Sequence, residues 1–120
     1  MNTLLFVYGT LKRGCGNHAQ LAGQALIGLA RTPPGFRLHD MGGYPGLVTA
    51  ADATEGVTGE VWSVDAKGLA RLDAFEGVAE GLYRRNPIAL LPPFHDQLVE
   101  AYWPARAVDH LPVVGANWRE

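Results

Sequence analysis

The chain has 120 residues, 48% of them hydrophobic, with 10 Lys and Arg against 12 Asp and Glu and a formal net charge of −2. That length and apolar share suit one core in one domain spanning residues 1–120, and they exclude a disordered chain. The charge offers nothing to nucleic acid or an anionic membrane, and no apolar run is long enough for a membrane helix or shaped like a signal peptide, so a cytoplasmic protein is expected.

The chain opens on a short apolar run, Leu4-Leu5-Phe6-Val7-Tyr8, stopped by Gly9. This is the pattern of a buried strand. In the loop that follows, Gly9, Gly14 and Gly16 free the backbone to turn tightly and approach a ligand. Consecutive amides aimed into a cavity form a seat for a carboxylate or phosphate. A Walker loop is excluded, because Cys15-Gly16 stand where Lys-Ser/Thr is needed, and the spacing is not that of a dinucleotide fingerprint. On spacing alone, a purely structural turn accounts for the loop equally well.

Asn17 to Ala22 reads as a short helical turn with Asn17 as N-cap, and Ala25 to Thr32 as an extended segment closed by Pro33-Pro34-Gly35. Phe36 to His39 alternates like a half-exposed strand, Met41 to Gly46 is a Gly/Pro turn, and Leu47–Ala50 and Gly59–Val64 are further strands. Asp65 caps a helix over Ala66 to Glu76, stopped by Gly77. Strands resume over Tyr83–Leu91, where Pro87 marks an edge or a break, and over Leu98–Trp103. The tail from Pro104 is read as irregular, with Trp118 packed on the body. Short strands with one or two helices make an α+β fold with a small closed or strongly curled sheet.

Cys15 is the only cysteine, so an intramolecular disulfide is impossible, and its role as a nucleophile needs a base that only His18 is near enough in sequence to supply. The four histidines are scattered without ligand spacing, so no metal is expected.

On a wheel of about 100° per residue, Leu69, Leu72 and Phe75 define the helix's apolar face, and Glu76 falls inside that stripe. A carboxylate there is costly unless paired. The negative end of the helix and burial both push its pKa up, toward what a general acid/base needs. Asp73 lies near the same side and competes for that role. Pairing with Arg84 or Arg85, or fraying into solvent, is the structural alternative for Glu76.

Tyr8-Gly9-Thr10-Leu11, Gly42-Gly43-Tyr44-Pro45, and Leu72-Asp73-Ala74-Phe75-Glu76-Gly77 followed by Tyr83-x-Arg85 together resemble the γ-glutamylcyclotransferase-like family, in order and over nearly the whole chain. Trp118-Arg119 is similar to that family's C-terminal Gly-Asp-Trp-Arg, from which Ala116-Asn117 depart. The resemblance implies a small mixed β-barrel with a few flanking helices and a site in a cavity at one end. It implies that Tyr8, Gly9, Thr10 and Leu11 bind the γ-glutamyl group and that Glu76 is the acid/base. It also implies release of 5-oxoproline from a small-molecule γ-glutamyl substrate, without metal or cofactor. Tyr44, Tyr83 and Tyr102 either line that cavity or fill the wall. Two rivals stand beside this expectation: a non-catalytic module binding a γ-glutamyl or other carboxylate metabolite, and a thiol enzyme using Cys15. The leaving amine and the oligomeric state are not encoded in these patterns.

Overall fold

A first strand apolar from Leu4 to Val7 needs cover on both faces, and it has it. In the computed structural model, which describes residues 2–120, strand β1 (Thr3–Val7) is the centre of a five-stranded sheet. Strands β2 (Ala25–Arg31), β3 (Phe36–Asp40), β4 (Pro45–Thr49) and β5 (Thr58–Val64) precede helix α1 (Ala66–Phe75); β6 (Tyr83–Pro87), β7 (Glu100–Pro104) and β8 (Val113–Gly115) follow it. The larger sheet has the order β2-β5-β1-β7-β6, with β1 antiparallel to β5 from Thr3↔Val64 to Val7↔Glu60 and briefly parallel to β7 at Leu5↔Glu100. The smaller sheet has the order β4-β3-β8.

Alternation along β1 sends Phe6 and Tyr8 to one face, where they pack with Leu38 and Leu47 of the smaller sheet and with Val57, Val99 and Phe94. Leu5 and Val7 face the other way, into a cluster with Trp62, Val64 and Leu72 of α1. The helix starts at Asp65, whose side chain accepts from the Gly68 amide at 2.7 Å, and its Leu72 is fully buried.

The α+β class expected from the sequence is what is seen. The strands form two sheets rather than a hydrogen-bonded closed barrel, and the flanking helices of the described residues reduce to α1 and a 3-10 turn, His18–Leu21. Three local expectations are corrected. Ile88–Leu91 is not a strand: Ile88 and Leu90 are buried and Ala89 and Leu91 exposed, but past the edge strand β6 their alternation reflects packing without a ladder. The tail contains β8, which pairs with β3 at Leu38↔Gly115. Phe75 is 43% exposed rather than part of the core face.

Candidate active site

The chain leaves β1 at Tyr8 and turns at once. The Lys12 amide donates to the Gly9 carbonyl at 3.1 Å, closing a turn around Thr10 and Leu11, and the Asn17 amide donates to the Thr10 carbonyl at 2.9 Å. Gly9 has to be glycine, since a Cβ there would lie 2.6 Å from Pro45 Cγ. Among the described residues, the N–H groups of Gly9, Thr10 and Leu11 donate to no protein acceptor. Asn17 makes no capping bond; its Nδ2 donates to Thr10 Oγ1 at 2.9 Å, leaving the threonine O–H free to donate elsewhere.

Helix α1 ends in a Schellman arrangement that aims Glu76. Gly77 has φ +69, its amide donates to the Ala74 carbonyl at 3.2 Å, and the Val78 amide donates to the Asp73 carbonyl at 3.0 Å. Glu76 is the C-cap residue, half-buried, with no hydrogen bond or ion pair to its carboxylate among the described residues. Burial pushes its carboxyl up from 4.5 to about 7.

Both features line one cavity of about 290 Å³, together with Asn17, Tyr44, Leu82, Tyr83 and Tyr102. All four predicted loop residues, Tyr8, Gly9, Thr10 and Leu11, are in its lining, as is Glu76. The loop side chains are not equally available. The Tyr8 hydroxyl is committed, donating to the Tyr102 carbonyl at 2.6 Å. The Leu11 side chain is buried with Leu21 and Trp62, so what it offers a ligand is its amide.

Asp73 does not compete with Glu76. Burial alone raises its pKa, but hydrogen bonds from Arg85 and Tyr102 and the Arg85 charge more than offset that and hold it below its ordinary value. Arg85 Nε and Nη2 donate to the two Asp73 oxygens at 2.9 and 3.1 Å, Nη1 donates to Glu100, and the Tyr102 hydroxyl donates to Asp73 Oδ1 at 2.7 Å. Arg85 is thereby unavailable to Glu76, while Arg84 is exposed. Tyr83 and Tyr102 both line the cavity and use their hydroxyls in the wall, Tyr83 donating to the Pro45 carbonyl at 3.3 Å. Cys15 lies outside this cavity; burial pushes its thiol up, and His18 Nδ1 is engaged by the Leu11 carbonyl at 2.9 Å. No group of three or more His, Cys, Asp or Glu is placed to hold a metal ion among the described residues.

An acid unpaired among the described residues therefore shares a small cavity with Gly9, Thr10 and Leu11, whose amides donate to no acceptor there. A profile of the family described as gamma-glutamyl cyclotransferase, AIG2-like, matches residues 5–120. The chain belongs to that family. It is thus one of a family of enzymes, and its relatives carry matching names. A putative gamma-glutamylcyclotransferase of Vibrio cholerae is 46% identical over 88 residues, covering 73% of each chain. The gamma-glutamylaminecyclotransferase A of Danio rerio is 38% identical over 93 residues, covering 72% of this chain and 57% of that one. The crystal structure of an AIG2-like protein from Mus musculus superposes with a TM-score of 0.81 at 28% identity, covering 96% of this chain and 87% of that one.

Within the AIG2-like framework, sequence reasoning missed Asn17 as a cavity residue, having read it as a cap. Leu82 also lines the cavity; it donates its amide to the Gly77 carbonyl at 3.0 Å and so belongs to the turn that presents Glu76. The unusual run Gly77 to Gly81, bracketed by glycines, was the available signal for that turn.

Proposed function

We propose that the protein is a γ-glutamyl cyclotransferase that releases 5-oxoproline from a γ-glutamyl amine or small γ-glutamyl peptide, with Glu76 as general acid/base and Tyr8, Gly9, Thr10 and Leu11 as the substrate loop. One observation carries this reading: among the described residues Glu76 has no hydrogen-bond or ion-pair partner, its carboxyl is pushed up to about 7, and it lines the same cavity as Gly9–Leu11, whose amides donate to no acceptor there.

The substrate brings nucleophile and electrophile in one molecule, so most of the gain comes from holding it folded. The loop amides and the Thr10 hydroxyl take an anionic or developing-anionic oxygen of the γ-glutamyl group. Glu76, ionised, accepts a proton from the substrate's α-ammonium. The freed amine attacks the γ-carbonyl, forming the ring C–N bond and a tetrahedral centre. Glu76 returns its proton to the departing nitrogen as the old C–N bond breaks, then takes the second proton from the nitrogen of attack and passes it to the departing amine, leaving the neutral lactam. The products are 5-oxoproline and the protonated amine. At about 290 Å³ the cavity is at the small end for ligand pockets, so the γ-glutamyl head fills it and the leaving amine extends over Tyr44, Phe75 and Leu82, all exposed at its mouth.

The test is 5-oxoproline release from a panel of γ-glutamyl amides by wild type and Glu76→Gln. Wild type turns over and the variant loses on the order of 10²–10⁴ in kcat. Equal turnover removes Glu76 from the mechanism, and no release from any amide by wild type makes the cavity a binding site only.

A further inference from the structure

Unpaired amides serve a ligand only if their turn is held still before it arrives. Close at hand, the turn after β1 is held by the buried Leu11 side chain, by Asn17 on Thr10 and by the Arg13 amide on Glu60, and a further tie reaches it from the far end of the chain. Lys12, the residue whose amide closes the Gly9–Lys12 turn, extends its ammonium to Asn117 Oδ1 at 3.1 Å and to the Trp118 carbonyl at 2.7 Å. Both acceptors are themselves fixed. Thr58 Oγ1 donates to Asn117 Oδ1 at 2.9 Å, the Thr58 amide donates to the Ala116 carbonyl at 2.9 Å, and Trp118 packs against the core between the sheets. Thr58 begins β5, which pairs with β1 up to Val7↔Glu60. The connection therefore closes on itself: β1, turn, Lys12, Asn117 and Trp118, Thr58, β5 and back to β1. A second contact backs it, the Gly16 amide donating to Glu120 Oε1 at 2.8 Å.

An ammonium half-withdrawn from water and spent on two neutral oxygens is costly as a surface ornament. Burial pushes its pKa down. No carboxylate forms an ion pair with it among the described residues, so its hold on Asn117 and Trp118 is a matter of position rather than charge pairing.

We propose that Lys12 is a positioning residue for the reaction: by tethering the Gly9–Lys12 turn to Asn117 and Trp118, it holds the Thr10 and Leu11 amides in the orientation that receives the substrate's oxygen. This inference rests on the reading of those amides as the γ-glutamyl site. It assigns a role in substrate recognition to a segment outside the cavity and more than a hundred positions along the chain.

Lys12→Met removes the tether, Asn117→Leu removes one acceptor and its tie to Thr58 while keeping the lysine charge, and Lys12→Arg restores a cation able to reach the same oxygens. Steady-state kinetics are measured in the wild-type background, and 5-oxoproline binding is measured by calorimetry in the non-cycling Glu76→Gln background. Lys12→Met raises KM, and Kd for 5-oxoproline, by about tenfold with kcat held within about threefold. Asn117→Leu moves both the same way by less, and Lys12→Arg recovers most of the loss. Wild-type KM and Kd in Lys12→Met overturn the tether. So do wild-type values in Asn117→Leu beside raised ones in Lys12→Met, because the effect then lies in charge alone. Wild type that releases no 5-oxoproline overturns the cyclotransferase reading instead, and the binding series without turnover keeps the two failures apart.

Discussion

Glu76 is the residue on which burial and chemistry meet. Its folded-state pKa stands at about 7 against an ordinary 4.5 because its half-buried carboxylate has lost water without gaining a partner. The folded protein therefore binds more protons than the unfolded chain between those values. The stabilisation this provides is complete below the unfolded pKa and is lost as pH rises through the folded one. Wild type should lose ~2–3 kcal/mol relative to Glu76→Gln between about pH 5 and about pH 8, read from unfolding midpoints of the two proteins. Parallel curves would mean that the carboxylate is solvated. In the proposed mechanism the same shift works the other way: kcat/KM should rise as Glu76 ionises, with an inflection near 7 that disappears in Glu76→Gln. Asp73, a few positions away, shows why this acid is distinctive. Arg85 and Tyr102 hold Asp73 below its ordinary value, whereas Glu76 has no cation or donor on its carboxylate among the described residues.

At the scale of elements, the end of α1 does two jobs through one glycine. Gly77 adopts φ +69 to complete the Schellman bonds, and Leu82 folds back over it so closely that a Cβ would lie 2.7 Å from Leu82 Cδ1. Gly77→Ala meets both obstacles and should cost ~1–3 kcal/mol in chemical denaturation. Because Glu76 is the preceding residue, kcat should fall by more than the loss of folded protein explains. A variant that keeps wild-type kcat at full folding would separate the turn from the site. The triad of Arg85 with Asp73 and Glu100 ties α1 to β6 and β7, so the helix end cannot drift from the sheet that carries Tyr83 and Tyr102.

At the scale of the whole molecule, what the sequence shows and what it hides divide by distance along the chain. The first strand, its glycine-ended turn, the helix with its Asp65 cap and Gly77 stop, and the place of Glu76 on that helix all follow from neighbours within a few positions, and all were legible. The partners that decide between readings were not. That Arg85 goes to Asp73 and Glu100 rather than to Glu76 depends on how β6 registers against β7 and α1, which no local pattern encodes. The strand β8 is only three residues long, and Lys12 finds Asn117 across the full length of the chain. Alternation misled at Ile88–Leu91, where a strand-like pattern of burial exists without a partner strand.

The account as a whole stands on Glu76 and the free amides serving one ligand, and a crystal structure with a non-cyclising γ-glutamyl analogue bound tests this most directly. It should show a ligand oxygen on the Gly9–Leu11 amides and the ligand's α-nitrogen within about 3 Å of the Glu76 carboxylate. An analogue seated away from the turn after β1, or Glu76 turned out to bulk water beside it, would contradict it.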